Sequence, residues 1–374
     1  MSGGATPRRL KVGVIGGGLI AQLMHLPHLR ELDDLFDLRA VCDASPVVAA
    51  ACARRFAVAK AFTDWEALLG EDLDAVLVLT SGSHATVSVA AAGAGCHVLV
   101  EKPMCYSVAE ADEMIAAASA AGVVLMVGYP KRYDPAYARV ADVLSGLDDV
   151  RFVRLTTTEA PGSAYVAHRT VVTGAAPPDQ VAEWREDAAR RVDAALGPAT
   201  DRHRRAYEGV LLDTMVHEFN LLRGLLGEPS AVKWVSLAEH TTTVVLDFDG
   251  LECVVAWLDL PGIARYGMEV CFYDPAARVR LLFPSPYLRD TPTVVDVERG
   301  DRGGPYSSVA REVAAFESPF KLELRAFHRA ICDGTEPPTS GADGRADVAL
   351  CQSVILADVT GRPVARPTLG RSRP

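Results

Sequence analysis

The chain has 374 residues, of which 49% are hydrophobic and 23% charged, and a formal net charge of -10. That acidic balance excludes a nucleic-acid surface, which needs a basic face, and no apolar run is long enough to span a membrane. The length predicts two domains with sizeable cores, and eight scattered cysteines without a CxxC pair exclude a disulfide framework or zinc knuckle.

The first 130 residues alternate apolar runs with amphipathic stretches. LKVGVIG (10–16), LRAVCD (38–43), AVLVLT (75–80), CHVLVE (96–101) and VVLMVG (123–128) read as five strands. Between them SPVVAAACARRFA (45–57) and SVAEADEMIAAASAAG (107–122) have helical period, the second opening with the capping-box pair Ser107 and Glu110. Near-continuous apolar strands separated by helices predict a doubly wound α/β domain whose parallel sheet is covered on both faces. No secretory h-region precedes the first strand, so the expected compartment is the cytoplasm.

From about residue 150 the strands lengthen and lose their intervening helices. RFVRLTTTE (151–159), AVKWVSLAEH (231–240), TTTVVLDFDG (241–250) and LECVVAWLDL (251–260) predict a large, mainly antiparallel sheet, with an Asp-Gly hairpin turn inside DFDGLE (247–252). A polar, Arg-rich stretch with a helical middle (179–196) leads to LLDTMVHEF (211–219), and two helices close the chain. The arginines of 169–223 read as solvated helix faces balanced by acids such as Glu183, Glu186 and Asp187, with a grip on an anionic ligand as the alternative.

Chemistry is signalled first by VGVIGGGLIAQ. Gly16, Gly18 and Ala21 fit G-x-G-x-x-G/A after a strand and before a helix. Gly16 permits the tight turn, and Gly18, Leu19 and Ile20 bring backbone at a helix N-terminus to a pyrophosphate. Asp43, at the end of the second strand, is placed to accept the adenosine ribose hydroxyls and repel a 2′-phosphate, which favours NAD over NADP. The alternative is that Asp43 caps the next helix, a role for which Ser45 competes. Glu101-Lys102-Pro103 ends the fourth strand in the ligand crevice, where a lysine can donate to a substrate oxygen; by itself it also reads as a surface turn. Asp213 and His217 stand four apart in an apolar helix, where neither is favourable to bury without a partner. A structural carboxylate–histidine hydrogen bond is the competing explanation. H-E-x-x-H is not satisfied, and no third ligand accompanies the pair, so no metal is expected.

Taken together, the glycine turn, E-K-P and D-x-x-x-H resemble the glucose-fructose oxidoreductase/inositol dehydrogenase/rhizopine catabolism (Gfo/Idh/MocA) family. AGCHVLVEKP is similar to its A-G-K-H-V-x-x-E-K-P except at Cys96, and VGYPKRYDPAY (127–137) to its G-x-x-R-R-F-D-P stretch. LLDTMVHEFNLLRGLLGEP resembles the D-x-x-x-H helix, and PPTSGADGRADVALCQSVILA the closing helix. Where the family often has Thr-Pro, this chain has Leu79-Thr80, leaving Thr80 and Ser81 as donors on the nicotinamide side.

The resemblance implies an NAD-binding Rossmann domain over 1–130 and an α+β domain over 131–374 whose open-faced sheet pairs subunits into a homodimer or homotetramer. It implies a polyol-like substrate: a sugar, cyclitol or nucleotide-sugar. Lys102, Asp213 and His217 would meet at the reacting carbon, with His217 as base, Lys102 polarising the oxygen, and Asp213 binding a neighbouring hydroxyl or orienting the imidazole. His84, Glu101 and Arg132 join the expected cofactor side, although Arg132 equally suits a domain-linking ion pair. His25 and His28 are assigned to the first helix. Two other classes stay open: an NAD-dependent glycoside hydrolase, and a non-catalytic NAD-binding sensor.

Overall fold

A computed structural model describes residues 8–365 apart from 198 and 302. The chain order opens with β1 (Leu10–Ile15), a π-helical turn (Ala21–His25), α1 (Leu26–Glu31), β2 (Phe36–Cys42), α2 (Pro46–Arg55), β3 (Lys60–Phe62), α3 (Trp65–Leu69) and β4 (Ala75–Val78). It continues with α4 (Ala85–Gly93), β5 (His97–Glu101), α5 (Val108–Ala121) and β6 (Leu125–Gly128). The six strands form one parallel sheet in the order β3-β2-β1-β4-β5-β6. β4 and β6 are buried at every position, which explains their unbroken apolar sequence. The three-residue β3, a sheet edge, is a strand the apolar pattern did not reveal; Lys60 and Ala61 in it are exposed.

Beyond residue 130 come α6 (Pro135–Leu144), β7 (Phe152–Glu159), the single turn α7 (Ser163–Val166), α8 (Pro178–Leu196), α9 (Asp201–Ala206), a second π-helical stretch (Tyr207–Met215) and α10 (Val216–Leu226). Then follow β8 (Ala231–Leu237), β9 (Thr241–Phe248), β10 (Leu251–Asp259), β11 (Gly267–Asp274), β12 (Ala277–Phe283), β13 (Val294–Gly300) and β14 (Ser307–Val313). The chain closes with α11 (Pro319–Asp333), α12 (Gly341–Thr360) and β15 (Val364–Ala365). Nine strands form a second sheet in the order β14-β13-β12-β11-β7-β10-β9-β8-β15, antiparallel except where β7 and β10 run parallel. The β9–β10 turn is Asp249-Gly250, with φ of 51° and 98°, the paired positive values of a two-residue hairpin.

Two compact units result. Among the described residues, the first comprises 8–134, 166–197 and 317–349, and the second 135–165, 199–316 and 350–365. The first core joins Leu10, Val12, Val14, Phe36 and Leu77 to Leu324 and Phe327 of α11, a helix that returns from far along the chain. In the second, the buried Thr157 hydroxyl of β7 donates to Glu218 of α10 at 2.6 Å, tying that helix to the sheet. None of the described helices is long and apolar enough to cross a membrane.

Candidate active site

The glycine turn follows β1. Gly16 has φ of 102°, and a Cβ there would lie 2.6 Å from the Leu79 backbone, so only glycine suits the position. A Cβ on Gly17 would meet Val48 and Cys52 at 2.9 and 3.1 Å, which seats the turn against α2. Gly18 has nothing within 4 Å of its would-be Cβ, and Gly18 and Leu19 are exposed. A tight turn, a close-packed side and an open approach make the cradle a dinucleotide pyrophosphate requires. Ile20 is half-buried and leads into the π-helical turn.

Ser45, not Asp43, is the N-cap of α2. Asp43 instead turns its carboxylate to the glycine turn: Oδ2 accepts from the Gly17 amide and Oδ1 from the Ser45 amide, both at 2.8 Å. The carboxylate thereby fixes the glycine turn to the end of β2.

At the end of β4, Thr80 is half-buried and Ser81 exposed. The buried His84 faces the Thr80 carbonyl with Nε2 at 2.8 Å and the Pro103 carbonyl with Nδ1 at 2.7 Å. Burial pushes its pKa down against both carbonyls, and a neutral ring donates to one of them at a time. It links the loop after β4 to the Lys102-Pro103 turn.

Glu101 ends β5 and is buried. Its Oε1 pairs with His25 Nε2 at 2.8 Å, and Oε2 accepts from the Lys102 amide at 3.1 Å. Burial alone would raise the Glu101 pKa, but the His25 hydrogen bond and the charges of His25 and Lys102 hold it below the ordinary value. Beside it, Glu323 of α11 is fully buried, and desolvation and then Glu101 push its carboxyl well above the usual range. His25 belongs to the helical turn after the glycines, as expected, yet it supports the strand end that carries Lys102. Its packing edge-on to Phe320 at 5.6 Å has no local signature in the sequence.

Arg132 pairs with Asp343 at 3.7 Å, both in the first unit. Asp213 and His217 belong to the second unit. The regular α-helix expected through both is not formed: Tyr207–Met215 is π-helical, and α10 begins at Val216. Such wide turns occur disproportionately at functional sites. Asp213 is exposed and His217 half-buried, while Leu211, Leu212, Met215 and Val216 are buried. The burial cost that made the pair conspicuous is therefore small for Asp213. The neighbouring arginines mostly meet acids, as Arg190 does with Asp187 at 2.8 Å and Arg223 with Glu228 at 2.5 Å. Among the described residues no cluster of three or more His, Cys, Asp or Glu could hold a metal ion.

A parallel sheet with a glycine turn after β1 and a carboxylate at the end of β2 is the arrangement of a dinucleotide-binding domain. Residues 10–129 match the oxidoreductase family described as having an NAD-binding Rossmann fold, GFO_IDH_MocA. Over 354 residues the chain is 25% identical to a myo-inositol 2-dehydrogenase of Thermotoga maritima, covering 91% of this chain and 94% of the relative. Two solved structures share the fold. A levoglucosan dehydrogenase in complex with NADH has a TM-score of 0.74 at 20% identity, covering 97% of this chain and 100% of that one. A 3-ketoreductase from Actinomadura kijaniata in complex with NADP has a TM-score of 0.70 at 22% identity, covering 95% and 98%. Residues 10–129 thus match the NAD-binding domain of the Gfo/Idh/MocA oxidoreductases, and the similarity to the Thermotoga maritima relative runs over most of the chain. The full-length relatives are named as dehydrogenases and reductases, which supports redox chemistry over the glycoside-hydrolase alternative.

Proposed function

We propose that this chain is an NAD-dependent dehydrogenase acting on a secondary hydroxyl of a sugar, cyclitol or nucleotide-sugar, or reducing the matching ketone. The observation that carries the reading is the open glycine cradle on the same sheet as Lys102, which directly follows the buried, His25-held Glu101. Cyclitol and sugar relatives, named for dehydrogenation and ketone reduction, support the substrate class. NAD supplies the hydride acceptor; Gly16, Gly18, Leu19 and Ile20 would hold its pyrophosphate and Asp43 its adenosine ribose, disfavouring a 2′-phosphate. Thr80, Ser81, His84, Glu101 and Arg132 are assigned to the cofactor side.

His217 takes the hydroxyl proton onto a ring nitrogen and returns it in the reverse direction. Lys102 donates to the reacting oxygen and offsets developing alkoxide charge. Asp213 accepts from a neighbouring hydroxyl or orients the imidazole. A non-catalytic sensor would need neither the base nor the lysine. We assign substrate binding and subunit pairing to residues 131–374, a homodimer or homotetramer in solution, and a cytoplasmic location.

The test is absorbance at the NADH band with NAD and a panel of inositols, sugars and sugar nucleotides, repeated with Lys102→Ala and His217→Ala. Each substitution is expected to lower kcat by about 10²-fold or more while NAD binding persists. NAD binding without turnover of any panel member would favour the sensor reading.

A further inference from the structure

The stretch from residue 169 to 191 has no part in the chemistry above, yet it is bound to the first unit at points that bracket the glycine turn. Gln22, almost fully buried, spends both amide hydrogens at once, donating to the Gly17 carbonyl and the Val172 carbonyl, each at 2.8 Å. Its Oε1 accepts from the Val172 amide at 2.9 Å. Two residues earlier, the Thr170 carbonyl accepts from Arg55 of α2 at 2.5 Å. Two residues later, Gly174 lies so close to Ser45 that a Cβ would sit 2.2 Å from its hydroxyl oxygen. Contacts at every second residue are those of an extended segment laid along one edge.

After Gly174 the chain enters α8, whose Arg191 is anchored elsewhere. There Nη1 donates to Glu110 at 2.7 Å and Nη2 to the Thr86 hydroxyl at 3.0 Å. The Ser83 hydroxyl donates to the same Glu110 oxygen at 2.6 Å. Ser45 lies just past the end of β2, Ser83 in the loop after β4, and Thr86 in the first turn of α4. Between those strands runs β1 with its glycine turn, and the strand order reverses between β1 and β4. Ligands of such sheets lie at that reversal, outside the carboxyl ends of the strands. The segment is thus fastened on both sides of the dinucleotide crevice.

We infer that residues 169–191 form the outer wall of the adenosine end of the dinucleotide site, a binding element added to the glycine turn and Asp43. The inference rests on the dinucleotide-dependent reading above. Gln22 couples the wall to the turn, because one side chain holds both, and Gly174 sets how closely the wall approaches the ribose carboxylate. A wall held by a shielded arginine–carboxylate pair excludes water from the adenosine and slows its escape.

The test uses the full chain and two probes, ADP-ribose for the adenosine end and nicotinamide mononucleotide for the other. Gly174→Val, which the contact with Ser45 cannot accommodate, and Arg191→Ala, which removes the far anchor, are each expected to weaken ADP-ribose by about tenfold. Both are expected to speed NADH release in stopped flow, and Gly174→Val to leave the mononucleotide affinity unchanged. Folded variants that bind ADP-ribose and release NADH like the wild type would overturn the wall, as would variants that bind more tightly, since the segment would then obstruct the site. Should a variant not fold, hydrogen exchange of the wild type decides. The Val172 amide is expected to exchange more slowly with ADP-ribose bound, and an unchanged rate would overturn the inference. A wild type that releases NADH normally while only the variant comparison fails leaves the dehydrogenase reading intact; a wild type that binds neither probe nor NADH overturns both.

Discussion

Two glycines two residues apart show how one residue type serves different physical ends. Gly16 is required by backbone conformation, since its φ of 102° and the Leu79 backbone at 2.6 Å leave no room for a Cβ. Gly18 is required by no neighbour and matters only for what approaches it. Gly16→Ala is therefore expected to destabilise the fold by about 2 kcal/mol or more. Gly18→Ala is expected to melt like the wild type and yet bind NADH less tightly. Thermal unfolding alongside NADH fluorescence titration separates the two, and equal melting temperatures for both variants would contradict the assignment. Gly16 and Gly18 were both legible in the sequence. The difference between them was not, because it depends on what β4 places opposite each.

Elements matter here through the groups they bring to one another. α11 delivers Glu323 near Glu101, and the π-helical turn delivers His25 to the Glu101 carboxylate. Burial favours the protonated form of Glu323 in the folded state, whereas the unfolded chain ionises it above about pH 4.3. Folding therefore binds a proton, and this group makes stability fall as pH rises from there towards its raised folded value, at about 1.4 kcal/mol per pH unit. Glu323→Gln is expected to remove that slope and raise the melting temperature more at pH 8 than at pH 5. Glu101 acts in the opposite sense. Its lowered pKa gives stability that is present above the ordinary carboxylate value and lost as pH falls through the folded one. His25→Ala leaves that carboxylate buried without its partner and is expected to cost about 3–5 kcal/mol, measured by urea unfolding at pH 7. Hydrophobic patterning identified α11 as a closing helix but did not say which core it enters.

At the scale of the whole molecule, the first unit is assembled from three separate stretches of chain. The family match ends at residue 129, but the core does not, since Leu324 and Phe327 pack with Leu10, Val12 and Phe36. A fragment ending at residue 134 lacks those side chains and is expected to lose near-ultraviolet circular dichroism and cooperative melting while retaining secondary structure. A cooperative transition in that fragment would show that α11 is dispensable. The second sheet grew beyond its four anticipated strands to nine. In β14, for instance, every residue but Glu312 is exposed, so no buried face stamps an alternating pattern on its sequence.

What the sequence determined by itself was local. Strand–helix alternation, the glycine turn, the Ser107 cap and the Asp249-Gly250 hairpin follow from side-chain periodicity and turn chemistry within a few residues. Asp43 and Lys102 were legible because their motifs sit at strand ends. Tertiary structure alone decided that Gln22 holds Val172 across 150 residues, that His28 meets Ser318 across 290, and that Glu101 meets His25 and feels Glu323. Such contacts are selected by how burial and hydrogen bonding are satisfied over the whole fold, and a pairing between distant residues leaves no periodic trace along the chain.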